Sequence, residues 1–240
     1  MNGVLQLKQW IADSENIVFF GGAGVSTESG IPDFRSQDGL YNQQYQYPPE
    51  TIISHSFYKK NPEEFYRFYR DKMLALDARP NAAHRKLAQL EQAGKLTGVV
   101  TQNIDGLHQM AGSKHVMELH GSVHRNYCMK CHDHSYSARD ILESQGIPRC
   151  ACGGMIKPDV VLYEEGLDQD TIRDAIRTIA RAQMIIVGGT SLAVYPAAGL
   201  LDYFQGEALV LINKGATPQD KNADLLIQKP IGQVLDQIHI

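Results

Sequence analysis

No apolar run in the chain approaches the roughly 18 residues that a membrane span needs. The opening residues, Met1-Asn2-Gly3-Val4-Leu5-Gln6, lack a charged-then-apolar leader. Together these absences predict a cytoplasmic protein with no membrane partner. An excess of basic charge is missing too: 23 Lys and Arg stand against 27 Asp and Glu, for a net charge of −4. A broad basic surface is thereby excluded, and no specific nucleic-acid partner is expected. Cysteine is scarce. The four present are expected to be thiols or metal ligands and not disulfides, given a reducing compartment. Internal repeats and low-complexity linkers are absent.

What is present suits one large α/β domain over residues 1–240, with room for a small insertion: 43% of residues are hydrophobic and 21% charged. Four short apolar runs, 16–20, 96–101, 183–187 and 208–212, end at Gly, Asn or a polar turn. Such runs predict strands buried on both faces, hence a parallel sheet. Helical spacing lies between them. In 168–182, Ile172, Ala175, Ile176 and Ile179 share a face behind Asp168 as N-cap, and in 81–93 Asn81 caps and Gly94 terminates. Alternating strands and helices predict a Rossmann-like, doubly wound fold with its ligand beyond the carboxyl ends of the strands.

Two stretches break this pattern. Residues 121–157 hold all four cysteines and three of the nine histidines, and are read as a small inserted zinc-binding module. Residues 30–80, rich in Tyr, Phe and Pro, are read as a loop and short helices over the ligand crevice. Within the module, Cys128-x-x-Cys131 is followed after eighteen intervening residues by Cys150-x-Cys152. Two close pairs at this separation predict one tetrahedral zinc held by four thiolates, with His132 or His134 as a possible substitute for one of them. Four protein ligands leave no open position, so such a zinc is structural.

The run 19–26 reads as strand, Gly-rich turn and helix start, with Gly22 and Gly24 placed for close backbone approach to a pyrophosphate. Thr27 stands where the third glycine of a dinucleotide fingerprint belongs, so an ordinary strand-to-helix connection is the alternative. The strand ends at Gly189-Thr190-Ser191 and at Asn213 suit the same extended polar ligand. Asp33-Phe34-Arg35 places an acid, a ring and a phosphate-binding guanidinium side by side. Gln102-Asn103-Ile104-Asp105 offers groups that hydrogen-bond an amide or a ribose, or else a turn capping itself. His120 has the proton affinity of a general base near neutrality.

The motifs Gly22-Ala23-Gly24-Val25-Ser26, 30–36, 101–105, His120-Gly121, the two cysteine pairs and Gly189-Thr190-Ser191-Leu192 occur in an order that resembles the sirtuins over almost the whole chain. The resemblance implies an NAD-dependent protein-lysine deacetylase that consumes NAD. The acyl oxygen attacks C1′ of the nicotinamide ribose and nicotinamide leaves. His120 acts as base on a ribose hydroxyl, and O-acetyl-ADP-ribose is released. It implies further that Ala23, Thr27, Phe34 and Arg35 line the cofactor loop, while Gln102, Asn103, Ile104 and Asp105 hold nicotinamide and its ribose. Thr190, Ser191 and Asn213 hold phosphates and the adenosine ribose. Val160-Val161-Leu162-Tyr163 pairs with the acetyl-lysine peptide, in the manner of β-augmentation.

The chain departs from its relatives in two places. Relatives that prefer acidic acyl groups carry Tyr and Arg three residues apart, whereas here Tyr66 is followed by Tyr69, which predicts a neutral acyl preference. Glu164 stands where many relatives have glycine. The alternatives are an ADP-ribosyltransferase or NAD hydrolase of the same family, or an NAD-sensing module without catalysis.

Overall fold

The computed structural model describes residues 3–34, 39–40 and 45–239; Arg35 and Ser36 lie outside the described residues. Strands form where the chain offers short, mostly apolar runs, and also at shorter segments that pair beside them. In chain order they are β1 (Ile17–Gly21), β2 (Leu96–Thr101), β3 (Val116–Glu118), β4 (Gly121–Cys128), β5 (Ile156–Val160), β6 (Met184–Gly188), β7 (Ala208–Ile212) and β8 (Leu225–Ile227). One sheet of the described residues runs β3-β2-β1-β6-β7-β8 with every neighbour parallel. The strand order reverses between β1 and β6, the switch point at which doubly wound folds bind ligands.

Alternation along β1 feeds two cores. Ile17 and Phe19 pack on one face with Leu7, Leu87 and Val234. These come from α1 (Gly3–Asp13), α5 (Ala82–Gln92) and α9 (Ile231–Asp236). Val18 and Phe20 pack on the other face with Ala175, Ile179 and Leu200, drawn from α8 (Gln169–Ala180) and the 3₁₀ helix Ala197–Tyr203. Both expected caps are present. Asp168 accepts from Thr171 N at 2.7 Å, and Asn81 with His84 forms a capping box on α5.

The remaining helices are α2 (Pro49–Ile52), α3 (His55–Lys60), α4 (Pro62–Phe68), α6 (Leu107–Ala111) and α7 (Ala138–Glu143), with a π-helical turn over Tyr69–Met73. A third core of Tyr58, Phe65, Tyr66 and Tyr69 joins the 52–74 region to Val123 and Ile156 of the antiparallel β4–β5 sheet. One expectation needs correcting. The chain after Gly22 starts no α-helix: it makes two 3₁₀ turns, Ala23–Val25 and Thr27–Ser29, so an α-helix dipole is not available there. Backbone closure against the neighbouring turn explains this, because Gly24 N donates to Gly189 O at 2.7 Å and pins the chain before an α-turn can propagate.

Candidate active site

A cleft of about 890 Å³ opens beyond the carboxyl ends of β1, β2 and β6. It is lined by Ala23, Gly24, Thr27, Asp33 and Phe34 on one side, and by Gln102, Asn103, Ile104, Asp105 and His120 on another. Val160 to Tyr163 form a wall, and Gly189, Thr190, Ser191 and Asn213 close the far end. Gly22 stands just behind the lining, where an added Cβ would lie 2.9 Å from Thr190 Cβ. Gly24 is tighter still: its Cβ would lie 2.8 Å from Gly189 O and 2.9 Å from Gly189 Cα. The two turns therefore pack backbone on backbone, and only glycine permits that approach.

The polar floor is built across distant parts of the chain. Ser26 Oγ donates to Asp105 Oδ2 at 2.6 Å, and Asn103 Nδ2 donates to Ser26 Oγ at 3.0 Å. Leu107 N donates to the second Asp105 oxygen at 2.9 Å. Gln102 Nε2 donates to Thr190 Oγ1 at 3.2 Å, tying the turn after β2 to the turn after β6. Ser26, almost fully buried, was present in the sequence motif, but nothing there signalled that it bridges Asn103 and Asp105. Behind this floor His84 and His108 pack edge to face, with centroids 4.7 Å apart. Burial holds them down to about 4 and about 3, so both are neutral.

His120 lies between β3 and β4, with Nδ1 at 2.9 Å from Gln102 O. A carbonyl only accepts, so Nδ1 carries the proton and Nε2 keeps its lone pair. Burial pushes the imidazole below its ordinary value, partly offset by the Gln102 carbonyl. The ring is therefore neutral at pH 7 and competent as a base.

The wall is tied down on its outer side. Tyr163 N donates to Ile53 O and His55 N to Tyr163 O, each at 3.0 Å. Glu164, at φ 75°, accepts from Ser56 N and Ser56 Oγ, both at 2.9 Å. Those two bonds offset a backbone conformation that glycine adopts more readily. Burial alone would raise Glu165, but hydrogen bonds from Leu162 N and His55 and the charge of Lys157 hold it low. Strand β5 ends at Val160, and 161–163 continue as an extended segment bridged to Ser54.

Arg67 and Arg70 do not line the cleft. Arg67 pairs with Glu64, and Arg70 donates to Ile141 O, Ser144 Oγ and Gly146 O. The cation present in that part of the lining is Lys72, paired with Asp71 at 3.0 Å.

The sulfurs of Cys128, Cys131, Cys150 and Cys152 lie within 4.8 Å of one another. Cys128–Cys152 and Cys131–Cys150 are 3.5 and 3.6 Å apart, close to the ~3.8 Å edge of a tetrahedron with Zn–S bonds of ~2.3 Å. A Cβ on Gly154 would come to 2.6 Å from Cys128 Sγ, so a glycine leaves space for the sulfurs. His132 and His134 fall outside this group; His134 stacks on Tyr127 instead. The donor set fits a structural zinc.

A Sir2 family model matches residues 22–196. The NAD-dependent protein deacetylase of Clostridium acetobutylicum is 57% identical over 242 residues, covering 99% of this chain and 98% of its own. That of Clostridium perfringens is 59% identical over 237 residues, covering 97% of each. A solved structure of Sir2 with a p53 peptide and NAD+ superposes with a TM-score of 0.86 at 41% identity, over 97% of this chain and 95% of that one. Another, Sir2 with a deacetylated p53 peptide and 3′-O-acetyl ADP ribose, superposes with a TM-score of 0.90 at 41% identity and the same coverage.

Proposed function

The chain belongs to the Sir2 family, and from that premise we propose that it is an NAD-dependent protein-lysine deacetylase, releasing nicotinamide and O-acetyl-ADP-ribose. The observation that carries the assignment to residues is the neutral His120 with Nε2 available, beside the Asn103–Ser26–Asp105 network in one cleft.

The chemistry follows from the parts. A neutral amide oxygen is a weak nucleophile, so the site must hold C1′ of the nicotinamide ribose close and dry. Gln102, Asn103, Ile104 and Asp105 are the groups to hold nicotinamide and its ribose. Ala23, Thr27, Asp33 and Phe34 cover them. Thr190, Ser191 and Asn213 receive the phosphates and the second ribose, with Gly22, Gly24 and Gly189 giving close approach. His120 Nε2 takes the ribose hydroxyl proton, and the oxygen so activated attacks the alkylamidate carbon. The acetyl-lysine peptide runs along Val160–Tyr163. Residues 121–157 are the inserted module, whose zinc holds the β4 end rigid and performs no chemistry. Reduced thiols for that zinc accord with a cytoplasmic location.

Incubation with NAD and an acetyl-lysine peptide tests the reading. Nicotinamide release that tracks deacetylation is expected. Release without peptide would indicate a hydrolase, and no release a binding module. His120→Ala is expected to lower kcat by at least about a hundredfold, the scale of general-base catalysis; full retained activity would remove His120 from the mechanism. The lining near Tyr69 holds no arginine among the described residues and its Lys72 is paired, which supports acetyl over acidic acyl groups. Faster cleavage of a succinyl-lysine peptide than its acetyl twin would reverse that preference.

A further inference from the structure

The far end of the cleft is lined by Lys214 and Lys229. They occupy equivalent places: Lys214 lies two residues beyond β7 and Lys229 two beyond β8, and the last residues of these strands, Ile212 and Ile227, are directly paired. Neighbouring strands run about 4.8 Å apart, so the two lysines follow adjacent strand ends. Both residues are exposed, and neither is in an ion pair with a described residue.

Doubly wound folds that bind unphosphorylated dinucleotides grip the adenosine ribose diol with a carboxylate, and those that accept a 2′-phosphate place a cation there. Here the carboxylates among the described lining residues are Asp33, Asp105, Glu164 and Glu165, none of them from the β7 or β8 ends. The acids near those elements are committed elsewhere. Asp220 accepts from Thr217, Asp224 from Leu209 N, and Glu28 from Gly232 N. Asn213, the polar residue that remains, uses its Nδ2 on Thr190 O and Gly215 O, each at 3.1 Å. A ribose at this end meets an amide oxygen and two unpaired cations, and no carboxylate to repel an added phosphate.

We propose that this end of the cleft accepts a phosphorylated adenosine ribose, with Lys214 and Lys229 as point-charge partners of a 2′-phosphate, so that NADP occupies the site as well as NAD. The proposal rests on the reading that adenosine lies at the Thr190–Asn213 end. Its substance is a second ligand class: a pyridine dinucleotide carrying one further phosphate.

Titration of the intact protein with ADP-ribose and with 2′-phospho-ADP-ribose, neither of which is consumed, tests it. The readout is the ratio of the two dissociation constants. The phosphate is expected to weaken binding by less than about tenfold, and the Lys214→Met/Lys229→Met double variant to raise the ratio at least about threefold. A wild-type ratio above about tenfold, or a ratio that the double variant moves by less than about threefold, overturns the proposal. Failure of ADP-ribose itself to bind would strike the underlying adenosine assignment and this proposal with it. That outcome is recognisable because it does not depend on the phosphate. The melting temperature of the double variant, with both positions exposed, checks that the fold is kept.

Discussion

His120 Nδ1 keeps its proton and donates a hydrogen bond to the Gln102 carbonyl, so the ring titrates at Nε2, the nitrogen proposed to act as base. The base must be neutral to act, and burial favours the neutral form. The acid limb of kcat/KM is therefore expected to have its midpoint below 6.5, with activity rising as pH rises through it. A midpoint above 7 in a pH–rate profile would contradict this environment. At Gly24 the expected effect is steric. Gly24→Ala drives a methyl group into the Gly189 backbone, which has no side chain to rotate away. We expect a loss of about 1–3 kcal/mol in urea unfolding and a KM for NAD raised well beyond that for peptide. Ser26 shows why part of the floor was not legible in the sequence. Its partners Asn103 and Asp105 lie 77 and 79 positions away, and only the pairing of β1 with β2 brings them together.

Among the elements, α8 offers two separate tests. Asp168 accepts from both Thr171 N and Thr171 Oγ1, so Asp168→Ala is expected to cost about 1 kcal/mol, seen as a lower urea midpoint at unchanged m. His115 joins β2 to α8: Nδ1 donates to Thr97 O at 2.8 Å, and Nε2 pairs with Asp174 Oδ2 at 2.9 Å. The hydrogen bond to Asp174 raises its proton affinity above the ordinary value. A raised pKa in the folded state stabilises the protein below the unfolded value of ~6.5, and that stability is lost as pH rises through the folded pKa. His115→Gln is thus expected to destabilise more at pH 6 than at pH 9; an equal loss at both would assign the residue a purely steric role. The caps of α5 and α8 were readable because capping is local chemistry. Strands β3 and β8, three residues each, carry no period to detect. The residues after Gly22 read as a helix start yet form 3₁₀ turns, because the contact that stops the helix comes from Gly189, far along the chain.

For the whole molecule, the doubly wound sheet is legible because four of its strands are short, mostly apolar runs, buried on both faces for the most part. The second layer was less so. Its aromatic core is assembled from 52–74 and 123–162, and no periodicity in either stretch announces the other. This core and the four-cysteine site are adjacent: Cys128 and Cys150 belong to both. Stripping zinc with a chelator is therefore expected to lower the melting temperature and to abolish deacetylation together, with one zinc per chain restoring both. Full activity in the metal-free protein would separate the module from the site.

The wall and the histidine share a hydrogen bond: Val161 N donates to His120 O at 3.0 Å. On the other side, Glu164 and Glu165 fasten the same wall to Ser56 and His55. The segment is thus held at both edges, by side chains at its outer end and by the main chain of His120 at its inner end. On the proposed reading, a peptide laid along 160–163 would lie one main-chain hydrogen bond from the residue that carries the base. Glu164→Gly would remove the two Ser56 contacts while Tyr163 stays bonded to Ile53 and His55, so the outer edge would be weakened and not released.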